Sequence, residues 1–242
     1  FDPSTAHQCP AWHHWRMEKL TVTAAVQARI STRAFRDTPV DGALIRQILT
    51  TARYAPSGGN VQPWTIHVLG GEVLARFKAT MQDKLATGEP EEGEEYAIYP
   101  PNLFEPHRSR RWQCGEDMYG TMGIERADKP ARLNFIAGNF QFWNAPVAMF
   151  FCIDRRMGAP QWSDMGMLIQ TTMLLAQEAG LASCAQEAWT RWHRTVGEFL
   201  ALPPELMLFC GLALGYADET HPANKLRTAR APLDEVASFR GI

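Results

Sequence analysis

The sequence predicts an α+β fold, a sheet with flanking helices, on three observations. Continuous apolar runs at 64–69, 146–153 and 206–215 have the length and composition of strands. Residues 43–54, ahead of the first run, and 164–179, between the last two, carry apolar side chains at helical spacing. No Gly-x-Gly-x-x-Gly follows a strand, so a dinucleotide-binding βαβ unit is unsupported.

Residues 1–16 hold Pro3, Pro10 and three of the seven histidines, with little amphipathic pattern. They are expected to be an N-terminal arm or a remnant of expression, ahead of a single domain over 17–242. Adjacent His13 and His14 supply only two ligands, so no metal is expected. A short helix is predicted over 18–28. Arg29, Ser31 and Arg33 then alternate, so an extended segment turns them to one side. Two guanidiniums and a hydroxyl there make a forked anion site, or simply a solvated basic edge.

The helix over 43–54 places Leu44, Ile45, Ile48, Leu49 and Ala52 on one face, and Pro56 ends it. The stretch Pro56-Ser57-Gly58-Gly59-Asn60-Val61-Gln62-Pro63-Trp64 follows. Its glycines permit positive φ and leave backbone N–H groups uncovered, and Ser57, Asn60 and Gln62 add side-chain donors. Such a loop suits a planar, carbonyl-bearing or anionic ligand; a plain helix stop and turn explains it equally.

Residues 88–95 carry five glutamates in eight positions and read as a solvated loop. A basic stretch, 107–111, follows, and 110–124 and 129–142 read as helical. The whole of 84–130 is expected to form a lid over the substrate side of a pocket, because excursions from a fixed scaffold are where selectivity sits. Asp164 is expected to cap the helix that ends at Ala179, and Gly180 to take the left-handed conformation behind it. A helix over 190–200 follows Trp189. Lys225, Arg227 and Arg230 then gather before Pro232.

Net charge is −2 and 45% of residues are hydrophobic, which argues against nucleic-acid binding by bulk charge. No apolar run reaches the roughly 18 residues that span a bilayer, so no membrane partner is expected. Five cysteines lie scattered without zinc or redox spacing, which suits a reducing cytoplasm. Cys152 and Cys210 fall in apolar runs and read as packed thiols.

The Arg-Ile-Ser-Thr-Arg opening, the Pro-Ser-Gly-Gly-Asn-x-Gln-Pro-Trp loop and the Arg227/Arg230-Ala-Pro-Leu ending, in this order, resemble the FMN-dependent nitroreductase family. The resemblance runs from about Val26 to Phe239. Trp162-x-Asp164-x-Gly166, the stretch Asn139 to Pro146 and the stretch Gly180 to Trp189 extend it. Gln186-Glu187-Ala188-Trp189 is similar to the branch that reduces nitroaromatic compounds.

The resemblance implies a nitroreductase-like fold: a central, mainly antiparallel sheet flanked by helices, in an intertwined homodimer with two FMN sites at the subunit interface. It places Arg227, Arg230, Arg29 and Ser31 at the phosphate. Ile30 stands among these contacts where relatives often carry a basic or polar residue, so one contact is missing. Arg33 is implied near the flavin N1 and C2 carbonyl. Pro56, Ser57, Gly58, Asn60 and Gln62 are implied to come from the other subunit, against the ribityl chain or ring edge. Cys184, Ala185, Gln186, Glu187 and Ala188 run along the ring, with the Glu187 backbone N–H at N5.

The implied catalytic residues are Arg33 and Glu187, the latter through its peptide rather than its carboxylate. The implied activity is ping-pong transfer of hydride from NAD(P)H through flavin N5 to a flat nitroaromatic. Trp112, Tyr119, Phe140 and Trp189 are candidate walls for that substrate, and core packing explains each equally well. The same fold also supports reductive dehalogenation, flavin breakdown or non-catalytic flavin binding. Glu92, Glu95 and Arg108 would favour dehalogenation if they recognised a zwitterion.

Overall fold

Four strands form one antiparallel sheet in the computed structural model, which describes residues 20–242. The expected N-terminal arm and its histidines lie outside the described residues. The strands are β1 (Trp64–Gly70), β2 (Val147–Asp154), β3 (Ala182–Gln186) and β4 (Leu206–Gly215), in the order β1-β2-β4-β3. The two central strands, β2 and β4, are apolar apart from Asp154 at the end of β2, because both of their faces are covered.

In β2, Val147, Met149, Phe151 and Ile153 face one layer, while Ala148, Phe150 and Cys152 face the other. The first layer is filled by α2 (Gly42–Ala52) and α6 (Ala159–Glu178), through Leu44, Ile45, Ile48, Met165, Leu168 and Ile169. The second holds an aromatic cluster around Trp189. It is closed by α3 (Gly71–Ala86) through Leu74, Phe77 and Met81, and by α7 (His193–Leu200) through Val196. Burial raises the Cys152 and Cys210 thiols to about 12, which keeps them protonated packing groups. Among the described residues, no helix is long and apolar enough to cross a membrane.

The remaining helices are α1 (Val22–Ala28), α4 (His107–Thr121), α5 (Lys129–Ala137) and α8 (Leu233–Val236). The helix expected over 129–142 stops at Ala137. A 3-10 turn over 138–144 replaces its end, with Phe142 and Trp143 at φ 51° and 53°. The Trp143 ring folds back over Gly138, where an added Cβ would stand 2.5 Å from it. Similarly, the helix expected over 190–200 opens with a 3-10 turn, Glu187–Trp192, before α7. Gly180 does close α6 in the left-handed conformation, at φ 73°. The Leu181 N–H reaches Ala176 O and the Gly180 N–H reaches Gln177 O, the paired bonds of a Schellman stop.

The glutamate run is a loop that is solvated only in part: Glu89, Glu91 and Glu94 are exposed, while Glu92 and Glu95 are not. The Glu92 carboxylate accepts the Arg194 N–H (2.7 Å), the Thr195 N–H (3.1 Å) and the Thr195 hydroxyl (2.5 Å), and so caps the start of α7. Glu95 is nearly buried and pairs with Arg155, while its N–H donates to Thr190 O. Of the five glutamates Glu92 alone meets these helix N–H donors, while Glu89 pairs with Lys84, and Glu91 and Glu94 with Arg191. Glu92→Ala is therefore expected to cost about 1–2 kcal/mol, the scale of a lost helix cap. Urea denaturation of the two proteins checks it.

Candidate functional site

The arginine segment lies along the edge strand β3. Ser31 bridges Ser183 in parallel register, and the Thr32 N–H donates to Ser183 O at 3.0 Å. Thr32 is buried, so its neighbours Ser31 and Arg33 turn the other way and stay half-buried. A single amide fixes the rest of this corner. Asn224 Oδ1 accepts the Arg33 N–H at 2.8 Å, and its Nδ2 donates to Ala34 O and Asp218 O, each at 2.8 Å. The Arg227 guanidinium donates to the Asn224 carbonyl at 3.2 Å. Sequence reasoning gave Asn224 no role, and an amide beside three cations was its only signal.

Arg29, Arg33, Arg227 and Arg230 have no carboxylate within ion-pair distance among the described residues. Arg108, Arg110, Arg132, Arg155, Arg156 and Arg191 each have at least one, whereas Arg36, Arg46, Arg53 and Arg76 elsewhere on the surface also have none among those residues. The Arg33 side chain donates to Ser31 O (3.3 Å), and Arg230 to Thr228 O (2.9 Å). Carbonyls like these orient a guanidinium without neutralising it, so the corner keeps its positive charge. Burial raises the Cys184 pKa, while Arg33, Arg29 and Ser31 pull it the other way, which puts that thiol beside the same three residues. Arg230 itself lies further along, in an exposed stretch.

The loop after α2 uses its donors differently from the sequence expectation. Asp164 is not the cap of α6. That helix begins a turn earlier, behind Gly158, with Pro160 in its first turn. The buried Asp164 carboxylate instead accepts the Gly58 N–H, at 3.3 Å to each oxygen. The Gln62 N–H goes to Ser57 Oγ, the Asn60 N–H to Ser57 O, and the Gln62 side-chain amide to Asn60 O. Among the described residues, the Gly59 N–H and the Asn60 side-chain amide keep no partner. Within one chain no hydrogen bond joins this loop to the arginine corner.

Beyond β3 the chain turns sharply. The buried Gln186 side chain donates to Asn139 O (2.8 Å), and its Oε1 accepts from the Trp189 indole (3.4 Å). Ala185 and Glu187 remain at the surface. The Glu187 carboxyl nonetheless sits low enough that burial raises its pKa.

Trp189 and Phe140 are not pocket walls. Trp189 is fully buried, 4.6 Å from the Phe142 centroid and 5.3 Å from those of Phe77 and Phe150. Phe140 packs edge-on against it. Large aromatics supply most of the bulk of this layer, with Leu69, Leu74, Met81, Val196 and Leu208 packed around them. Trp112 is half-exposed on α4, with Arg126 over its ring. Tyr119 is mostly covered, with Arg132 4.2 Å over its ring and Arg33 among the charges its hydroxyl feels. Of the four aromatics, Tyr119 is the one brought toward the arginine corner.

The structure is thus an α+β fold whose antiparallel sheet carries an arginine corner along its β3 edge. The chain belongs to the nitroreductase family, whose model matches residues 26–216. It is 37% identical over 219 residues to a 4-nitrobenzoate reductase of Pseudomonas putida, covering 90% of this chain and 95% of that protein. Among solved structures it resembles the FMN and NADPH-dependent nitroreductase NfnB from Sphigopyxis sp. strain HMH. That match has 43% identity and a TM-score of 0.88, and covers 92% of this chain and 100% of that one. The FMN-dependent NfnB from Mycobacterium smegmatis, in complex with NADPH, matches at 28% identity and a TM-score of 0.83, covering 89% and 96%.

Proposed function

We infer that this chain is an FMN-dependent oxidoreductase that uses NADPH to reduce nitroaromatic compounds. The observation that carries the reading is the arginine corner, where Arg33 and Arg227 meet at Asn224 and Arg29 lies with Arg33 beside Cys184, none of them paired with a carboxylate among the described residues. Guanidiniums oriented by carbonyls, with their charge intact, fit the terminal phosphate of FMN. When bound, FMN accepts hydride from NADPH and passes electrons in pairs to the nitro group, giving nitroso and then hydroxylamine products, with donor and acceptor using one pocket in turn.

In this reading Arg227, Arg230, Arg29 and Ser31 hold the phosphate. Arg33 presents its charge to the pyrimidine edge of the flavin, where negative charge develops. Gln186 to Ala188 line the ring, and the Glu187 peptide N–H is its donor at N5. The loop 56–62 serves a second copy of the chain, since in one copy it stands apart from the arginine corner. The protein is then a homodimer, and a cytoplasmic setting fits its free thiols at 114, 152, 184 and 210. The segment 84–130 acts as the lid, with Tyr119 and Trp112 on its helix facing a flat substrate. A dehalogenase lid is disfavoured, because Glu92 and Glu95 are engaged with α7 and Arg155, and Arg108 pairs with Glu105 at 2.7 Å.

The test is the visible spectrum of the purified protein, followed by NADPH without oxygen and then 4-nitrobenzoate. Flavin bands that bleach and then return support both half-reactions. A protein that stays colourless after adding FMN overturns the reading.

Glu187→Gln separates peptide from carboxylate. The variant is expected to keep flavin reduction. It is also expected to unfold at a higher temperature than the parent at neutral pH. Burial disfavours the charged carboxylate, so the folded state holds its proton more tightly than the unfolded one. Stability is therefore lost as pH rises from the ordinary value of 4.5 through the raised one, and the amide avoids that loss. Below that range the two melting temperatures should converge. Loss of hydride transfer with FMN bound would give the carboxylate a direct part.

A further inference from the structure

We propose that Asp164 is the positioning residue that sets the 57–62 loop in its cofactor-binding shape. The proposal rests on the flavin reading above. Asp164 is 4% exposed, and no cation lies within ion-pair distance of it among the described residues. A lone buried carboxylate is unfavourable for the fold by itself. What it makes here is a charge-assisted bond to one amide, Gly58 N–H, from both oxygens at 3.3 Å.

That bond is the loop's anchor. Among the described residues, the other hydrogen bonds of 57–62 close within the loop itself. The loop is also strained: Gly59, Asn60 and Gln62 stand at φ 58°, 56° and 48°, and two of these are not glycine. A turn of that kind relaxes unless something outside it fixes a point. Gly58 is not held by crowding, since an added Cβ would meet nothing within 4 Å. Its amide is therefore what ties the Ser57 hydroxyl and the Asn60 side chain to the helix. Released, the loop would have to be ordered again each time FMN binds, and affinity would fall.

The experiment compares Asp164→Ala, Asp164→Asn and Thr172→Ala with the parent, each as the full chain. Thr172 is buried on the same helix and donates to Leu168 O at 2.9 Å, away from the loop. FMN affinity is read by quenching of flavin fluorescence on the apoprotein, and stability by thermal melting. Asp164→Ala should weaken FMN at least about tenfold, the loss of one charge-assisted bond. Asp164→Asn keeps an acceptor oxygen and should stay within about threefold. Thr172→Ala should lower the melting temperature and leave FMN affinity unchanged.

Parent-like affinity in Asp164→Ala overturns the proposal. So does a Thr172→Ala variant that loses flavin in proportion to its stability. Hydrogen exchange at the Gly58 amide reads the anchor without flavin: protected in the parent, open in Asp164→Ala. If the parent takes up no FMN, the flavin reading fails and the positioning role with it, whatever Gly58 exchange reports about the loop.

Discussion

Gly211→Ala should lower stability by about 3 kcal/mol, the upper end of what one extra methyl costs in a filled core. The added Cβ would stand 2.2 Å from Trp189 Cδ1 and 2.9 Å from its Nε1. Neither side can move aside. Gly211 lies in β4 with Phe150 of β2 on one side and Gln186 of β3 on the other. Trp189 is stacked on Phe142 and bounded by Phe77 and Phe150, with its indole N–H on Gln186. For a chain of this size the melting temperature should drop by about 6–12 °C. The cause is checked by adding Trp189→Phe, a smaller ring. If the clash is the cause, the double variant should lose less than the sum of the two singles. Strict additivity would move the explanation away from the Gly211–Trp189 contact.

Arg33→Ala is expected to slow flavin reduction by NADPH about a hundredfold at full flavin occupancy, the scale of removing one donor from a site of developing charge. The substitution is clean at the level of the backbone. Asn224 holds the Arg33 amide rather than its side chain, so the segment stays in place when the guanidinium goes. Among the described residues the side chain makes one hydrogen bond, to Ser31 O, and no ion pair, so what is deleted is chiefly a positive charge. Stopped-flow reduction without oxygen reads the rate, and flavin absorbance reads the occupancy. Arg33→Lys should recover part of the rate, since a charge returns without the planar fork. An unchanged rate in the alanine variant with flavin bound would end the proposed role.

Much of the framework was legible because its signals are local. β2 and β4 read as strands since burial on both faces leaves no polar position in them before Asp154 at the end of β2. α2 and α6 read as helices since each lays a broad apolar stripe on the sheet. By contrast α3 escaped notice: Leu74, Phe77 and Met81 make a narrow stripe among charges, and one face of the sheet needs no more than that. The errors share a cause. Asp164 looked like a helix cap, Glu92 like a solvated charge and Trp189 like a pocket wall, because residue type and neighbours suggest those roles. The partners of Asp164 and Glu92 lie 106 and 103 positions away, and the rings that enclose Trp189 are Phe77, Phe142 and Phe150, so sequence spacing does not reveal such meetings. The arginines of the candidate site were found by their alternation. The Asn224 clasp that joins two of them was not, since one amide leaves no periodic trace.

That clasp also orders events in time. The Arg33 amide and the Asn224 side chain are separated by 191 positions. A growing polypeptide emerges from its N-terminus and can pack α1, α2 and the first strands early. Its basic corner stays open until Asn224 has been made. If that corner holds the cofactor phosphate as proposed, a truncated product ending short of Asn224 would carry most of the core yet lack Arg227, Arg230 and the amide that fixes the Arg33 segment.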